Sequence, residues 1–254
     1  MDYNFKFRKM DIKNKEISDI TINEVLQKFD LNKLKDKSKK KLLIIPCSDK
    51  KRASGTEFYE RNYFNSENYK YLNVVRELRK YHYLEHIDSN PNHFIGKKDI
   101  LGNGNIVPID SNYFKSCLNG NNYVTAMERY EGKFYTNEHR ILYFEKNSNA
   151  NLYILIVSGL YGLLQFNDEI IDYHFEISNG PNIWGNCLTK TIKQYINENE
   201  IEDDMVFYSL SEKYLKNIIP SEQWNNLWIN NIGNSRQANL KYSADCVLRF
   251  LNLL

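Results

Sequence analysis

Six consecutive residues, Pro46-Cys47-Ser48-Asp49-Lys50-Lys51, place a thiol, a hydroxyl and two ammonium groups directly behind the apolar run Leu42-Leu43-Ile44-Ile45. A thiol beside lysines can act as a nucleophile where positive charge favours its thiolate. Cys47 can equally be the small residue of a tight turn. Lys50 suits pairing with an anion, and Ser48 and Lys51 can add a hydroxyl and a second charge to the same ligand. Asp168 can orient Lys50 or serve as a general base, or it can simply cap a turn. Cys47, Lys50 and Asp168 are therefore the candidate catalytic groups.

A second constellation follows the run Leu152-Tyr153-Ile154-Leu155-Ile156-Val157, which breaks at Ser158-Gly159 and continues through Tyr161 and Gly162 to Asp168, Asp172 and Tyr173. A buried strand that enters a glycine turn at its carboxyl end is how open α/β sheets build ligand sites. An ordinary core strand and turn would look the same. Tyr130 and Tyr135 flank Gly132 and can stack on a base, with core packing as the alternative. Ser211 follows another apolar run, Met205-Val206-Phe207-Tyr208. These residues complete the candidate ligand contacts.

The elements that must carry these groups alternate. Strands are expected at Leu42–Ile45, Leu152–Val157 and Met205–Tyr208. Helical faces follow from Tyr71, Val74, Val75, Leu78 and Tyr81; from Tyr123, Met127 and Tyr130; from Trp184, Leu188, Ile192 and Tyr195; and from about 236 to the end. Residues 90–104 read as loop. Continuous apolar strands alternating with helices imply an α/β fold, with a central, largely parallel or mixed sheet and helices on both faces. In a parallel arrangement the segments 46–48, 158–159 and 209–211 share one edge. That edge forms a crevice of hydroxyls, amides and ammonium groups suited to phosphate or an anionic base-like ligand.

Four segments also resemble, in order, the YaaA peroxide-stress family. Ser158-Gly159-Leu160-Tyr161-Gly162-Leu163-Leu164, with Asp168 and Tyr173-His174-Phe175-Glu176 behind it, resembles that family's signature. Tyr130 to Tyr135 resembles its Tyr/Phe-x-Gly-x-x-Tyr element, and Ile183-Trp184-Gly185 resembles its Phe-Trp-Gly. Ser209 to Tyr214 resembles its Asn-Leu-Ala-Ser-x-Glu-Tyr. The likeness spans roughly residues 42 to 220. Pro46-Cys47-Ser48-Asp49-Lys50-Lys51 instead resembles the Pro-Cys-Ser-x-x-Lys element of DUF6884 proteins and of the archaeosine synthase domain. His174 stands where the YaaA family has arginine, and its Lys-x-Ala-Arg-Gly element has no counterpart after Ser221.

Composition narrows the classes. The chain has 254 residues, a net charge of +2 and an aromatic share of 14%, with 19 Tyr and 13 Phe. No apolar run reaches the roughly 20 residues of a membrane span, and the first residues carry no hydrophobic signal segment, so a cytoplasmic protein is expected. Cys47, Cys117, Cys187 and Cys246 form no C-x-x-C pair, and His82 and His86 lack a third ligand, so neither a metal nor a cofactor is expected. Residues 1–52 carry a local charge of +7 against −5 for the remainder, and Lys33, Lys35, Lys37, Lys39, Lys40 and Lys41 form the densest cluster. Such a run can contact phosphates or be a solvated linker.

Thr21-Ile22-Asn23-Glu24 has capping-box spacing, so residues 1–41 read as a basic helical appendage before an α/β domain at 42–254. Three functions fit. The YaaA resemblance implies a stress protein that binds DNA. The archaeosine-synthase-like element implies an enzyme acting on a nucleotide or modified nucleobase. A binding module that senses a nucleotide is the third.

Overall fold

The computed structural model describes residues 29–52, 99–100, 106–107, 124–159, 161–170, 187–211, 214–215, 230–232 and 240–254. The expected helices near Thr21 and at Tyr71 to Tyr81, the His82/His86 pair, Ile183-Trp184-Gly185 and Tyr173 lie outside these residues.

Asp30 caps a short helix, α1 (Leu31–Lys35), by accepting the amides of Asn32 and Lys33. The lysine-rich stretch then enters β1 (Lys41–Pro46), whose branched and apolar side chains favour an extended, buried strand. The stretch expected to be loop contains β2 (Asp99–Ile100), which forms a minimal antiparallel ladder with β3 (Ile106–Val107) just beyond it. A second such ladder joins β4 (Val124–Thr125) to β7 (Glu169–Ile170). Thr125 caps α2 (Ala126–Arg129), which ends at Tyr130. A 3-10 turn, Lys133–Tyr135, leads to α3 (Asn137–Asn149), capped by Thr136.

Two strands follow, β5 (Leu152–Ser158) and β6 (Gly162–Gln165). Beyond β7 come α4 (Cys187–Glu198), β8 (Val206–Tyr208), β9 (Asn230–Asn231) and α5 (Leu240–Leu253). Met205, expected to open the third strand, closes a 3-10 turn instead.

Among the described residues the main sheet has the order β6-β5-β1-β8-β9. β5 and β8 flank β1 in parallel, with Ile45 beside Ile156 and Leu43 beside Phe207. β6 turns back antiparallel on β5, and β9 runs parallel to β8. The sheet is thus largely parallel but mixed. Successive side chains of a strand point to opposite faces, so the burial of all six β1 residues means that both faces are covered.

Ring contacts identify the covers. Phe207, on the face of Leu43, meets Phe250 of α5 with ring centroids 4.7 Å apart. Tyr153 is in register with Leu42, on the opposite face, and meets Tyr195 of α4 at 6.2 Å. The fold is α/β with helices on both sides of the sheet.

The chain leaves β1 for β5 and β6, then returns past β1 to β8 and β9. Strand order therefore reverses between β1 and β8, where open sheets leave a crevice at their carboxyl ends. The part of the expected appendage that is described is packed onto this domain. Leu34 is buried in the core, and Phe29 meets Phe207 edge-on at 5.4 Å.

Candidate functional site at the carboxyl edge of the sheet

Pro46 ends β1 because it has no N–H to continue a ladder. The next amide, Cys47 N–H, still donates to Val157 O of β5 at 2.9 Å. On the other side, Ser209 N–H donates to Ile44 O, also at 2.9 Å. The ends of three adjacent parallel strands are thereby tied together, as the sequence led one to expect for segments 46–48, 158–159 and 209–211. Cys47 Sγ shares a hydrogen bond of 3.2 Å with the phenol of Tyr214, which lies one helical turn beyond Ser211. Burial first, and then the neighbouring Cys47, hold the Tyr214 phenol well above its ordinary pKa. It therefore stays protonated at neutral pH and can donate to a charged sulfur. Cys47 is half-buried, and Cys246, on α5, is buried.

The loop after Cys47 is built by local bonds. Ser48 Oγ accepts Lys50 N–H at 3.2 Å, a serine turn that reverses the chain. The chain then pairs with the end of α2. Arg52 N–H donates to Arg129 O, and Glu131 N–H donates to Lys50 O, both at 2.8 Å, with Lys51 opposite Tyr130. Alternation along this short ladder sorts the side chains. Lys50, directly opposite Glu131, places its ammonium 3.3 Å from that carboxylate. Arg52, two residues along, approaches the same carboxylate at 3.8 Å. Lys51 takes the other face, 5.7 Å from the centre of the Tyr130 ring, and donates to Ser48 O at 2.9 Å. Gly132 follows with φ at +113°, and a Cβ there would lie 2.9 Å from Ser48 Oγ.

Several sequence expectations are corrected. Tyr130 and Tyr135 were candidate stacking platforms, yet they are 0% and 2% exposed, with ring centroids 5.3 Å apart. Tyr135 donates its hydroxyl to Pro46 O at 2.7 Å, and burial pushes its pKa well up. Both tyrosines brace the floor of the loop as core residues. Of the roles open to Asp168, orienting Lys50 falls instead to Glu131, and the alternative of a turn cap is what the geometry gives. The buried Asp168 carboxylate accepts Gln165 N–H at 2.8 Å and caps the turn after β6. The buried Ser158 hydroxyl likewise accepts the amide of buried Tyr161 at 3.0 Å. Gly159 is buried, and in this turn Gly162 takes the left-handed backbone, at φ +75°.

Most of the lysine run is also engaged with the chain's own groups. Lys33 pairs with Glu202 at 2.9 Å and with Asp204, Lys39 pairs with Glu202, and Lys40 pairs with Glu200 at 3.1 Å. Lys41 is buried, donating to the carbonyls of Asp36, Lys39 and Ala150 at 2.7, 2.8 and 3.2 Å. Burial lowers its pKa. Four of the six lysines are engaged with their own chain.

The accessible groups at the edge are therefore Cys47, Ser48, Asp49, Lys50, Lys51, Arg52, Glu131, Gly132 and Ser211, so that two carboxylates stand among three cations. Ser209 adds a buried hydroxyl with no hydrogen-bond partner among the described residues. Arg52, Glu131 and Tyr214 had no functional role in the sequence reading, whereas Ser209 belonged to a segment expected to line the crevice. Tyr214 and Glu131 do lie inside resembled segments, the one signal that could have flagged them. No family model and no curated protein matches the chain. Among the described residues no helix is long and apolar enough to cross a membrane, and no group of three or more His, Cys, Asp or Glu could hold a metal.

Proposed function

We propose that this is a cytoplasmic, YaaA-like protein that binds a nucleotide-type anion at the carboxyl edge of β1 and β8. The observation that carries this reading is the Lys50–Arg52 pair of accessible cations, on a loop bridged to Tyr130 that leaves the central strand where strand order reverses. Amides, hydroxyls and ammonium groups at such an edge suit a phosphate. The YaaA resemblance implies DNA binding; the anion proposed for this edge is of the nucleotide type. The lysine run is a weaker candidate for DNA, because six lysines at 33–41 stand against five carboxylates at 198–204, and three of them are ion-paired there.

Calorimetric titration with nucleosides and their monophosphates, alongside DNA anisotropy over a salt series, tests this. Binding of monophosphates but not nucleosides, weakened about tenfold by Lys50→Ala, supports the edge site. Tight DNA binding insensitive to Lys50 and abolished by neutralising the lysine run overturns it.

A catalytic reading has its own observation, the half-buried Cys47 thiol bonded to a protonated Tyr214. Turnover of a nucleotide or modified nucleoside, detected by mass spectrometry and lost in Cys47→Ser while binding persists, would establish it.

A further inference from the structure

The anion position between Lys50 and Arg52 already has an occupant from the chain itself. Glu131 places one carboxylate oxygen 3.3 Å from Lys50 Nζ and the other 3.8 Å from Arg52 Nε. We propose that Glu131 is an internal competitor, its carboxylate holding the place that a ligand phosphate takes, so that binding exchanges one anion for another. The proposal rests on the nucleotide reading above and adds to it a residue that sets affinity and selects for ligand charge.

Three features make the exchange feasible. Glu131 is tethered by its amide to Lys50 O at 2.8 Å, and Gly132 behind it is fixed against Ser48, so the carboxylate stays close at little entropic cost. The cations are the outer partners, with side chains 75% exposed for Lys50 and 50% for Arg52, against 30% for Glu131. Exposed pairs of this kind are weak and readily broken. A phosphate brings more charge than a carboxylate and can accept two parallel N–H bonds from a guanidinium. A singly charged ligand gains little by displacing Glu131, whereas a dianion gains more.

The test compares binding of inorganic phosphate and adenosine monophosphate to the full chain by calorimetry. The variants are Glu131→Gln, Glu131→Asp and, as a remote charge control, Glu145→Gln, whose partner is Lys146 on α3. Glu131→Gln is expected to bind about tenfold tighter for loss of one local charge, with a smaller gain for Glu131→Asp, which withdraws the charge by one methylene. Glu145→Gln should match the parent. Binding by Glu131→Gln alone, with none by the parent, also supports the proposal as full masking. If the parent binds and both Glu131 variants bind equally or more weakly, the competitor role is overturned while the nucleotide reading stands. If neither the parent nor any variant binds, both fall.

Discussion

Gly132 and Ser48 are locked together. The glycine backbone sits at φ +113°, and a Cβ there would come within 2.9 Å of the Ser48 hydroxyl. That hydroxyl is itself committed to the Lys50 amide. The contact seats the Tyr130–Tyr135 segment against the loop that leaves β1, so the geometry of Lys50, Arg52 and Glu131 depends on it. Gly132→Ala should therefore lose about 1–3 kcal/mol, from backbone strain and the close approach together. Urea unfolding measures the loss. Adding Ser48→Ala should recover only part of it, because the strained φ remains, and full recovery would mean that crowding alone is responsible.

Lys50→Ala tests the edge site without threatening the fold. The ammonium is largely exposed and its ion pair is at the surface. Stability should change by no more than about 0.5 kcal/mol, while affinity for a nucleoside monophosphate should fall by about tenfold. Unchanged affinity in a normally stable variant would remove Lys50 from the site.

The strands were legible because their signal is local. Leu42 to Ile45 and Leu152 to Val157 are uninterrupted apolar runs, and uniform burial of a parallel strand leaves that mark. α3 was missed because its outer face carries Ile141 and Phe144, 65% and 47% exposed, which blurs the apolar period. The convergence of the 46–48, 158–159 and 209–211 loops was expected but depended on strand order, which no local pattern encodes. The pairing of Lys50 with Glu131, and of the lysine run with Glu200, Glu202 and Asp204, joins residues far apart in the chain. Such pairings are set by the return of α2 and of the β8 approach, not by anything visible in either segment. The tyrosines misled for a related reason. A phenol can stack on a ligand or brace a core with its hydroxyl, and Tyr135 does the second through Pro46 O.

The lysine run should split into two energetic classes. Lys33, Lys39 and Lys40 make surface pairs with Glu200, Glu202 and Asp204. Replacing any of them by glutamine should cost less than about 1 kcal/mol, with the cost fading at high salt. Lys41 is buried and satisfies three carbonyls that cap α1, the following turn and α3. Lys41→Met strands those carbonyls, and a loss of about 2–4 kcal/mol that salt does not relieve is expected. Salt-dependent unfolding of the four single variants separates the classes. A Lys41 variant that behaves like the other three would show that its carbonyl cage contributes little.

His139 gives the fold a pH dependence of known sign. Its ring lies beneath α5, with Nε2 3.0 Å from Ala244 O and Nδ1 2.8 Å from Thr136 Oγ. The carbonyl can only accept, so Nε2 carries the proton and Nδ1 accepts from the threonine hydroxyl. Burial lowers the imidazole pKa, prevailing over Ala244 O, Glu138 and Asp245, which raise it. The folded state thus prefers neutral His139, while the unfolded chain protonates it at about 6.5. The stability this contributes is complete above that value. It is lost as pH falls below it toward the lower folded value, because the unfolded state then binds more protons. Urea unfolding from about pH 7.5 to about pH 5.5 should show this decline. His139→Gln, which can still donate to Ala244 O, should show a shallower one. Equal slopes in parent and variant would mean that His139 titrates alike in both states.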